Sequence, residues 1–412
     1  MSPTTKLSWA TQIWRVIQVQ GSVSGDYVTR VYDRMDAVDS RAWDALLGAQ
    51  ATATPFMRHA YLQAMTASGS AIPQTGWALR LFTLWQGDAL AAACPVWLKG
   101  HSRGEYVFDW AWAEAYQRHG LPYYPKAIVA SPFTPVPGSR LLASGPADRA
   151  ALIQALTGWC QAEALPSLHI LFGDDADRAA CEAAGLMLRQ QVQFHWQNPG
   201  WRDFEDFLAS LSQDKRKKIR QERRKVRDAG VVFRAVAGCE ASEADWAFVQ
   251  LCYQQTYWEH GNPPYLQPDF FEAMQRDMAD NWVLFIGERA GQAIAMSLIG
   301  LHKDADGSPQ VAYGRYWGAT QRVDCLHFEA CYYQPIEWCI RHGVQRFEGG
   351  AQGEHKMARA LLPVQTASAH WIAHPGFAEA IGRFLERERE GVADYLEVLS
   401  QHSPLRQASD QA

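Results

Sequence analysis

The sequence lacks the features that define several large protein classes. No run of about 18 uncharged apolar residues occurs, so no membrane-spanning helix is expected. The 8 Cys include no C-x-x-C pair, which disfavours a disulfide framework or a zinc site. There is no G-x-S-x-G, G-x-x-x-x-G-K-[ST] or H-E-x-x-H, which argues against an α/β-hydrolase, a P-loop NTPase and a zincin. We expect a cytoplasmic protein with no metal centre and no permanently bound cofactor.

The composition is that of a folded globular chain with an excess of tryptophan. Of the 412 residues, 48% are hydrophobic and 20% are charged, which excludes an intrinsically disordered chain. The net charge of −5 disfavours a general polyanion binder, and no binding to DNA is expected. The 17 Trp equal the number of Phe. Because Trp combines a large apolar body with one donor, we expect some to line a cleft and the rest to pack in the core.

A weak internal repeat organises the chain. The segments that begin at Trp77 and at Trp282 both read as a strand, a tight Gly turn and a second strand with the pattern G-x-A-aliphatic-A. An aromatic strand is predicted after each hairpin, at Tyr106 to Trp112 and at Val311 to Trp317. Helical periodicity flanks both hairpins. The repeat therefore predicts two similar α+β halves, each carrying an antiparallel meander.

Turn signals and composition give the expected domain boundaries. The turn Asn198-Pro199-Gly200 separates the halves. We predict a flexible leader, an N-terminal domain, a C-terminal domain and a disordered tail, at 1–25, 26–198, 199–402 and 403–412, respectively.

One strongly basic helix is predicted at 213–229. From Lys215 to Arg227 the chain has nine Lys or Arg and one Glu, a local charge of +8, so the remaining residues carry about −13. We interpret the helix as a phosphate-binding arm for a cofactor, a nucleotide-linked substrate or RNA. The alternative is a solvated charged face. The candidate phosphate ligands are Lys217, Lys218, Arg220, Arg223 and Arg224.

Three further segments carry ligand-type side chains. The first, 130–140, contains three Pro and is predicted as a rigid loop that holds a polar ligand, or else as a stiff connection. The second, 258–265, is predicted as a loop in which Glu259 and His260 could form an acid/base pair. The third is a strand end, where alternation predicts Arg315 and Trp317 on one face as an anion clamp, or else a buried aromatic pair. The candidates are Ser131, Phe133, Thr134, Arg140, Trp258, Glu259, His260, Arg315, Tyr316 and Trp317.

The most informative segment follows a predicted strand at 345–348. Glu348 ends this strand, where a general base often lies, and a Gly-rich loop follows whose N–H groups could bind an oxyanion. The next helix opens with charged residues. The candidates are Glu348, Glu354, His355 and Lys356 for catalysis, and Gly349, Gly350, Gly353 and Arg359 for substrate binding. His327 and Glu329, on a predicted helix at 327–342, are too closely spaced to share a metal ion, and we interpret them as supporting polar residues.

These segments together resemble a known family, the bacterial FemAB-like predicted N-acyltransferases of peptidoglycan biosynthesis or recognition. The resemblance rests on Ser131-Pro-Phe-Thr-Pro, Glu222-Arg-Arg-Lys, Trp258-Glu-His-Gly-Asn-Pro-Pro-Tyr, Gly314-Arg-Tyr-Trp-Gly, His327-Phe-Glu-Ala-Cys-Tyr-Tyr and Gly349-Gly-Ala-Gln-Gly-Glu-His-Lys. It implies an α+β fold of tandem GNAT-like domains, each a mixed, mostly antiparallel sheet flanked by helices.

The resemblance also implies the reaction, which is acyl transfer to an amine in a cleft between the two domains. The wider relatives use an aminoacyl-tRNA donor, while ordinary GNAT enzymes use acyl-CoA. The GNAT pyrophosphate loop, Q/R-x-x-G-x-G/A, is not intact here, because the segment after Gly318 lacks its glycines. This departure puts CoA binding in doubt.

The expected partner is a small-molecule amine acceptor, either free or linked to a nucleotide. If the donor is an aminoacyl-tRNA, tRNA is a second expected partner. Glu348, Glu354 or His355 would act as base and Lys356 would stabilise the oxyanion. Arg315 and Arg359 would anchor substrate anions. The alternative from another class is a non-catalytic module that binds a cell-wall precursor or a partner protein.

Overall fold

The structure, a computed structural model, describes residues 27–350 and 353–405. It divides into two compact units, of which the first contains 27–191 with Thr366–Ala393 and the second contains Val192–Gln365 with the residues from Asp394 onward. The continuous domains predicted at 26–198 and 199–402 differ from this division, because 366–393 belong with the first unit. The predicted leader and residues 406–412 of the predicted tail lie outside the described residues. Leu405, in the described part of that tail, forms a β-bridge with Leu211.

The first unit alternates strands and helices. The strands are β1 (Tyr27–Tyr32), β2 (Trp77–Gln86), β3 (Ala89–Lys99), β4 (Lys126–Val129), β5 (Leu142–Ala143), β6 (Ser167–Gly173) and the first half of β7 (Met187–Gln197). The helices are α1 (Ser40–Gly48), α2 (His59–Ala67), α3 (Trp110–Arg118), α4 (Pro146–Ala162) and α5 (Asp175–Ala183). Short 3₁₀ helices occur at Met35–Ala37, Pro55–Met57 and Pro73–Thr75.

The second unit continues with its own strands and helices. They are α6 (Phe204–Ala209), α7 (Gln213–Asp228), β8 (Val231–Ala237), α8 (Glu243–Glu259), α9 (Pro268–Asp277), β9 (Trp282–Arg289), β10 (Gln292–Lys303) and β11 (Pro309–Ala319). Helix α10 (Leu326–Phe328) continues through a π-helical turn (Glu329–Tyr333) into α11 (Gln334–Arg341), and β12 (Arg346–Glu348) follows. Ala279–Asn281 and Glu354–Arg359 are 3₁₀ helices.

Two late elements contribute residues to both units, β13 (Leu362–Ile372) and α12 (Pro375–Gln401). The strand order in the first unit is β1-β2-β3-β4-β6-β13-β7, with β5 beside β3. The order in the second unit is β13-β7-β12-β11-β10-β9-β8. In the second unit β11 and β12 are parallel and the other pairs with a described register are antiparallel. The predicted mixed, mostly antiparallel sheets are confirmed.

The internal repeat is confirmed for the hairpins but only in part for the third strands. Strands β2 and β3 pair antiparallel, as do β9 and β10, and β11 contains the strand predicted at 311–317. The strand predicted at 106–112 is wrong, because the chain forms helix α3 from Trp110. Trp112 and Tyr116 are both buried, and their four-residue spacing is that of one helix face.

Each unit has its own hydrophobic core. In the first unit, β2, β3, β4 and β6 pack against α4, with Leu152, Leu156 and Trp159 facing the sheet. In the second unit, Trp196, Phe285 and Phe347 pack against the π-helical turn and α11. Trp77 and Trp282, which begin the repeated hairpins, are both buried. In the described part of the chain, no helix combines the length and the apolar character needed to cross a membrane.

A buried histidine pair joins β6 and β13 inside the first unit. His169 and His370 lie opposite each other in the strand register, and their Nδ1 atoms are 2.6 Å apart. His169 Nε2 lies 2.8 Å from Ser167 Oγ, whereas His370 Nε2 is buried without a hydrogen-bond partner among the described residues. The arrangement that leaves no buried N–H unsatisfied has His370 Nδ1–H donating to His169 Nδ1 and His169 Nε2–H donating to Ser167. Both rings are then neutral.

We predict that this pair makes the first unit sensitive to acid. Desolvation, with the nearby Lys126 and Arg189 charges, holds the pKa of His169 well below its ordinary value, and desolvation, His169 and Arg189 do the same to the pKa of His370. Below about pH 6.5 the unfolded chain therefore binds two protons that the folded chain does not. As the pH is lowered further, the free energy of unfolding should fall by up to about 2.7 kcal/mol for each pH unit.

The measurement is urea unfolding at pH 7.5, 6.5 and 5.5 of the wild type and of the His169→Gln/His370→Gln double variant. We expect the double variant to lose most of the additional acid sensitivity. The control is His119→Gln, because His119 is exposed, with its Nδ1 2.9 Å from Ala115 O of its own helix and its ring edge-on against Phe377. An equal pH slope in the wild type and the double variant would contradict the prediction.

Candidate active site

A surface groove of about 550 Å³ in the second unit lies where β11 ends and α10 begins. Gly318 sets this geometry, because a Cβ there would lie 2.4 Å from Cys252 O, and glycine therefore lets β11 approach α8. Thr256 Oγ1 donates to Trp317 O at 3.0 Å and fastens the two elements. The groove is lined by Gln255, Thr256, Glu259, His260, Trp317, Ala319, Thr320, Gln321, Arg322, Val323, Cys325, Leu326, His327 and Phe328.

Three of the predicted site residues meet in this groove, namely Glu259, His260 and Trp317. In the sequence, Trp317 lies on a different segment from Glu259 and His260, and the close packing of α8 on β11 brings the three together. Helix α8 reaches Glu259, so the predicted loop is helical at its start. The helix begins at a capping box in which Ser242 and Asp245 exchange hydrogen bonds with each other's backbone N–H. Trp258 does not line the groove and is 62% exposed.

A row of aromatic and imidazole side chains leads from the groove to the predicted catalytic segment. His327 lies against Trp317, with ring centroids 5.2 Å apart, and against Tyr332 at 5.7 Å. The Tyr332 hydroxyl is 3.1 Å from His355 Nε2. Burial and neighbouring cations lower the pKa of His327 to about 4, and burial, Arg359 and Lys356 lower the pKa of His355. Both imidazoles are therefore neutral at pH 7.

A buried ion pair stands behind this row. Arg359 donates to Glu222 Oε2 at 2.9 Å, to the Tyr333 hydroxyl at 3.1 Å and to His355 O at 2.8 Å. The Tyr333 hydroxyl in turn donates to Glu222. The guanidinium carbon of Arg359 lies 3.7 Å from the ring centroid of Phe328, which lines the groove. Arg359, predicted to bind a substrate anion, is thus paired inside the protein.

Helix α7 is confirmed as the basic helix, and its basic residues differ in their ion pairs. On the inner side, Arg223 pairs with Glu329 at 3.0 Å and with Glu337 at 2.7 Å. Arg220 pairs with Glu205 at 2.5 Å. On the outer side three of the predicted phosphate ligands are exposed and form no ion pair with any described residue, namely Lys217, Lys218 and Arg224.

A second groove, of about 680 Å³, runs between α7 and β8. Four arginines line it, Arg220, Arg223, Arg224 and Arg227, opposite Glu205, Glu329 and Glu337. The groove therefore offers an anion positive charge from α7 close to the π-helical turn.

The Gly-rich segment holds the remaining catalytic candidates. Lys356 is buried, donates to Gly350 O at 2.7 Å, and has its pKa lowered by burial to about 8. Glu348 accepts from Arg346 at 3.0 Å and lies 3.8 Å from His195 Nε2. Glu354 is exposed and accepts from the Tyr395 hydroxyl at 2.6 Å.

The three candidate glycines, Gly349, Gly350 and Gly353, are restricted either by a close contact or by a positive φ. A Cβ on Gly349 would lie 2.5 Å from the Leu361 side chain, while Gly350 and Gly353 have positive φ values of 86° and 115°. Glycine is therefore required at all three positions. Within 27–350 and 353–405, no group of three or more His, Cys, Asp or Glu could hold a metal ion.

The rigid loop at 130–140 belongs to the first unit, whereas the groups described above belong to the second. Ser131, Phe133, Thr134 and Arg140 are all buried. The Arg140 guanidinium donates to the carbonyl oxygens of Leu171, Gly138 and Val136. Ser131 donates to Phe56 O at 2.8 Å. These contacts are those of a stiff structural connection, the alternative considered from the sequence, and a ligand-binding role for the loop stays a prediction.

Strand β11 departs from the strict alternation that we expected. Tyr316 pairs with Leu298 and Gly314 with Ile299, so Arg315 is the extra residue of a β-bulge. The prediction that Arg315 and Trp317 share one face does not hold across the bulge. The Arg315 guanidinium lies 5.2 Å from the Tyr316 ring, and Tyr316 packs edge-on against Tyr253.

Sequence reasoning missed four residues of the site, namely Glu222, His327, Tyr332 and Tyr333. The sequence analysis interprets His327 as a supporting polar residue, and it counts Glu222 only as one negative charge within the basic run. The π-helical turn that carries Tyr332 and Tyr333 has no sequence signal of its own, although such turns occur frequently at functional sites.

We predict a strong energetic coupling between Glu222 and Arg359. Breaking a buried pair leaves one charge uncompensated, so Glu222→Gln and Arg359→Gln should each cost about 3 kcal/mol of the free energy of unfolding. The double variant should cost clearly less than the sum of the two. The matched control is Glu205→Gln, which breaks the exposed pair with Arg220 and should cost at most about 1 kcal/mol. Additive costs in urea unfolding would contradict the coupling.

Comparison with known proteins gives a family match and solved structures of similar fold. The FemAB_like family, described as peptidoglycan biosynthesis/recognition, matches residues 34–407. No curated protein sequence matches the chain significantly. The crystal structure of FemX is similar with a TM-score of 0.52 and 11% identity, covering 84% of this chain and 98% of that chain. L-PGS from Bacillus licheniformis has a TM-score of 0.50 and 10% identity, covering 84% and 97%.

A tandem GNAT protein from the clavulanic acid biosynthesis pathway has a TM-score of 0.42 and 13% identity, covering 85% of this chain and 99% of that chain. At such identities the structural similarity speaks for the fold alone. The predicted α+β fold is confirmed by the similarity to FemX over most of both chains. With a family match over most of its length, the chain belongs to the FemAB-like family.

Proposed function

We propose that this protein is an N-acyltransferase that moves an acyl or aminoacyl group from acyl-CoA or aminoacyl-tRNA to an amine by direct attack. The observation that carries the proposal is the path from the groove at Trp317 through His327 and Tyr332 to His355. It combines a neutral imidazole with a phenol hydroxyl, next to a groove large enough for a substrate. The proposed location is the cytoplasm, where both kinds of donor are made.

The state of the cysteines supports direct transfer without a covalent acyl-enzyme. A thiol must ionise to act as a nucleophile, and the pKa of each of the eight thiols is raised, chiefly by desolvation. The amine of the acceptor is then the nucleophile itself.

The proposed proton transfers use His355 and Tyr332. His355 takes a proton from the attacking amine, and the new bond forms between the amine nitrogen and the acyl carbon. The bond from the acyl carbon to the donor's sulfur or oxygen breaks, and the Tyr332 hydroxyl protonates the leaving atom and recovers its proton from His355. The Lys356 ammonium, protonated below about pH 8, stabilises the developing oxyanion.

Charge on the surface supports the binding of both substrates. Lys217, Lys218 and Arg224 have no ion-pair partner among the described residues, and both donor classes carry phosphates. Glu259 lies in the groove and would attract the ammonium form of the acceptor. The acceptor itself, including whether it is nucleotide-linked, stays open.

The proposal predicts a defined pH profile and a large loss of turnover in His355→Ala. Purified protein is incubated with labelled acyl-CoA or aminoacyl-tRNA and a panel of amines, and acylated amine is measured. Removing the base should lower turnover on the order of 100-fold or more. Activity should rise with pH as His355 loses its proton, and burial, Arg359 and Lys356 move that rise to lower pH because they lower the pKa of His355. Activity should fall above the Lys356 pKa of about 8.

Two controls define the outcome. Lys356→Met should lower turnover and remove the fall above pH 8, and His342→Ala should change nothing, because His342 is exposed and contacts only its own helix at Trp338. If donor or acceptor binds but no product forms under any condition, the chain is a binding module and the proposal is wrong.

The role of α7 can be tested through salt dependence. The Lys217→Ala/Lys218→Ala/Arg224→Ala variant should bind donor more weakly, and for an RNA donor the slope of log affinity against log salt should fall by roughly 0.7 to 0.9 for each lost contact. Arg276→Ala is the control, since Arg276 is an exposed arginine outside α7 that pairs with Asp277. Equal affinity and slope in the triple variant and the wild type would exclude α7 from the donor site.

A further inference from the structure

Helix α7 contacts both the first and the last residue of the π-helical turn. Arg223 pairs with Glu329, the first residue of the turn, and Glu222 accepts from Tyr333, the last. Tyr332, within the turn, contacts His355. A movement of α7 therefore reaches the turn through two polar contacts made by consecutive residues.

Glu222 also reaches the catalytic segment by a second route. It pairs with Arg359, whose Nη1 donates to the carbonyl oxygen of His355. The side chain of His355 is thus held through Tyr332 and its backbone through Arg359, and both contacts lead back to Glu222. Glu222 is the one acidic residue between Lys215 and Arg227, and it is buried while its basic neighbours on the outer side are exposed.

We propose that Glu222 is a positioning residue that connects phosphate binding on α7 to the placement of His355. This inference rests on the proposed function of α7 and His355 and adds how the two are joined. A phosphate in the groove between α7 and β8 competes with Glu329 and Glu337 for Arg223, which lines that groove beside them. Releasing the first residue of the π-helical turn shifts Tyr332 relative to His355, while Glu222 and Tyr333 keep the last residue fixed.

The charges around His355 determine what a change at Glu222 does. Arg359 and Lys356 on the same segment and His327 on α10 face it, and Tyr332 contacts its ring. Arg359 is neutralised by Glu222. When Glu222 becomes neutral, the Arg359 charge acts on His355 without compensation, and the pKa of His355 falls further.

The experiment is a titration of histidine ring signals by NMR in the full-length protein, with ¹³C-labelled histidine and His355→Gln to assign the signal. In Glu222→Gln the pKa of His355 should fall by about half a unit or more. Tyr333→Phe is a milder variant that removes only one hydroxyl, and it should lower the pKa of His355 by less than Glu222→Gln does. Glu205→Gln, the matched control, breaks the exposed pair with Arg220 and should leave the pKa of His355 unchanged.

The second half of the experiment adds inorganic pyrophosphate. It should shift the His355 signal in the wild type and shift it by less than half as much in Glu222→Gln at equal saturation. An unchanged His355 pKa in both Glu222→Gln and Tyr333→Phe overturns the proposal, as does an equal pyrophosphate response in Glu222→Gln and the wild type. Neither readout requires turnover, so a protein that shows the coupling but transfers no acyl group would refute the proposed function alone.

Discussion

The buried contact between Glu222, Tyr333 and Arg359 is the constraint on which the second unit's candidate site depends. Three separate parts of the chain meet there, namely the basic helix, the π-helical turn and the 3₁₀ helix that carries His355. A buried carboxylate and guanidinium are costly to desolvate, and only well-formed mutual contacts offset that cost. Their geometry therefore restricts where α7 can lie, and with it the exposed cations that would meet a donor phosphate.

From this contact the site extends outward in two directions. Toward the groove, Arg359 stacks on Phe328, and Tyr332 connects His355 to His327 and Trp317. Toward the surface, Arg223 and Arg224 face the second groove. Neutral imidazoles near the first groove and uncompensated cations near the second suit a reaction that needs a base at one point and phosphate recognition at another.

Local pattern predicted much of the fold and part of the site. The hairpins, the basic helix and the strand ending at Glu348 follow from short-range periodicity, turns and charge. The grouping of 366–393 with the first unit was not predictable, because pairing of β6 with β13 joins residues about 200 positions apart. The bulge at Arg315 and the π-helical turn depend on tertiary packing. Gly318 had a visible signal, a glycine beside a Trp at a strand end, but only the approach of α8 gives it a meaning.

The central claim is that this second unit binds an activated acyl donor through α7. Native mass spectrometry of the purified protein with acyl-CoA and, separately, with aminoacyl-tRNA tests it most directly. The account predicts a stoichiometric complex with at least one of these donors, and loss of that complex when Lys217, Lys218 and Arg224 are replaced by Ala. If neither donor binds, or if the complex survives the three replacements, the account is contradicted.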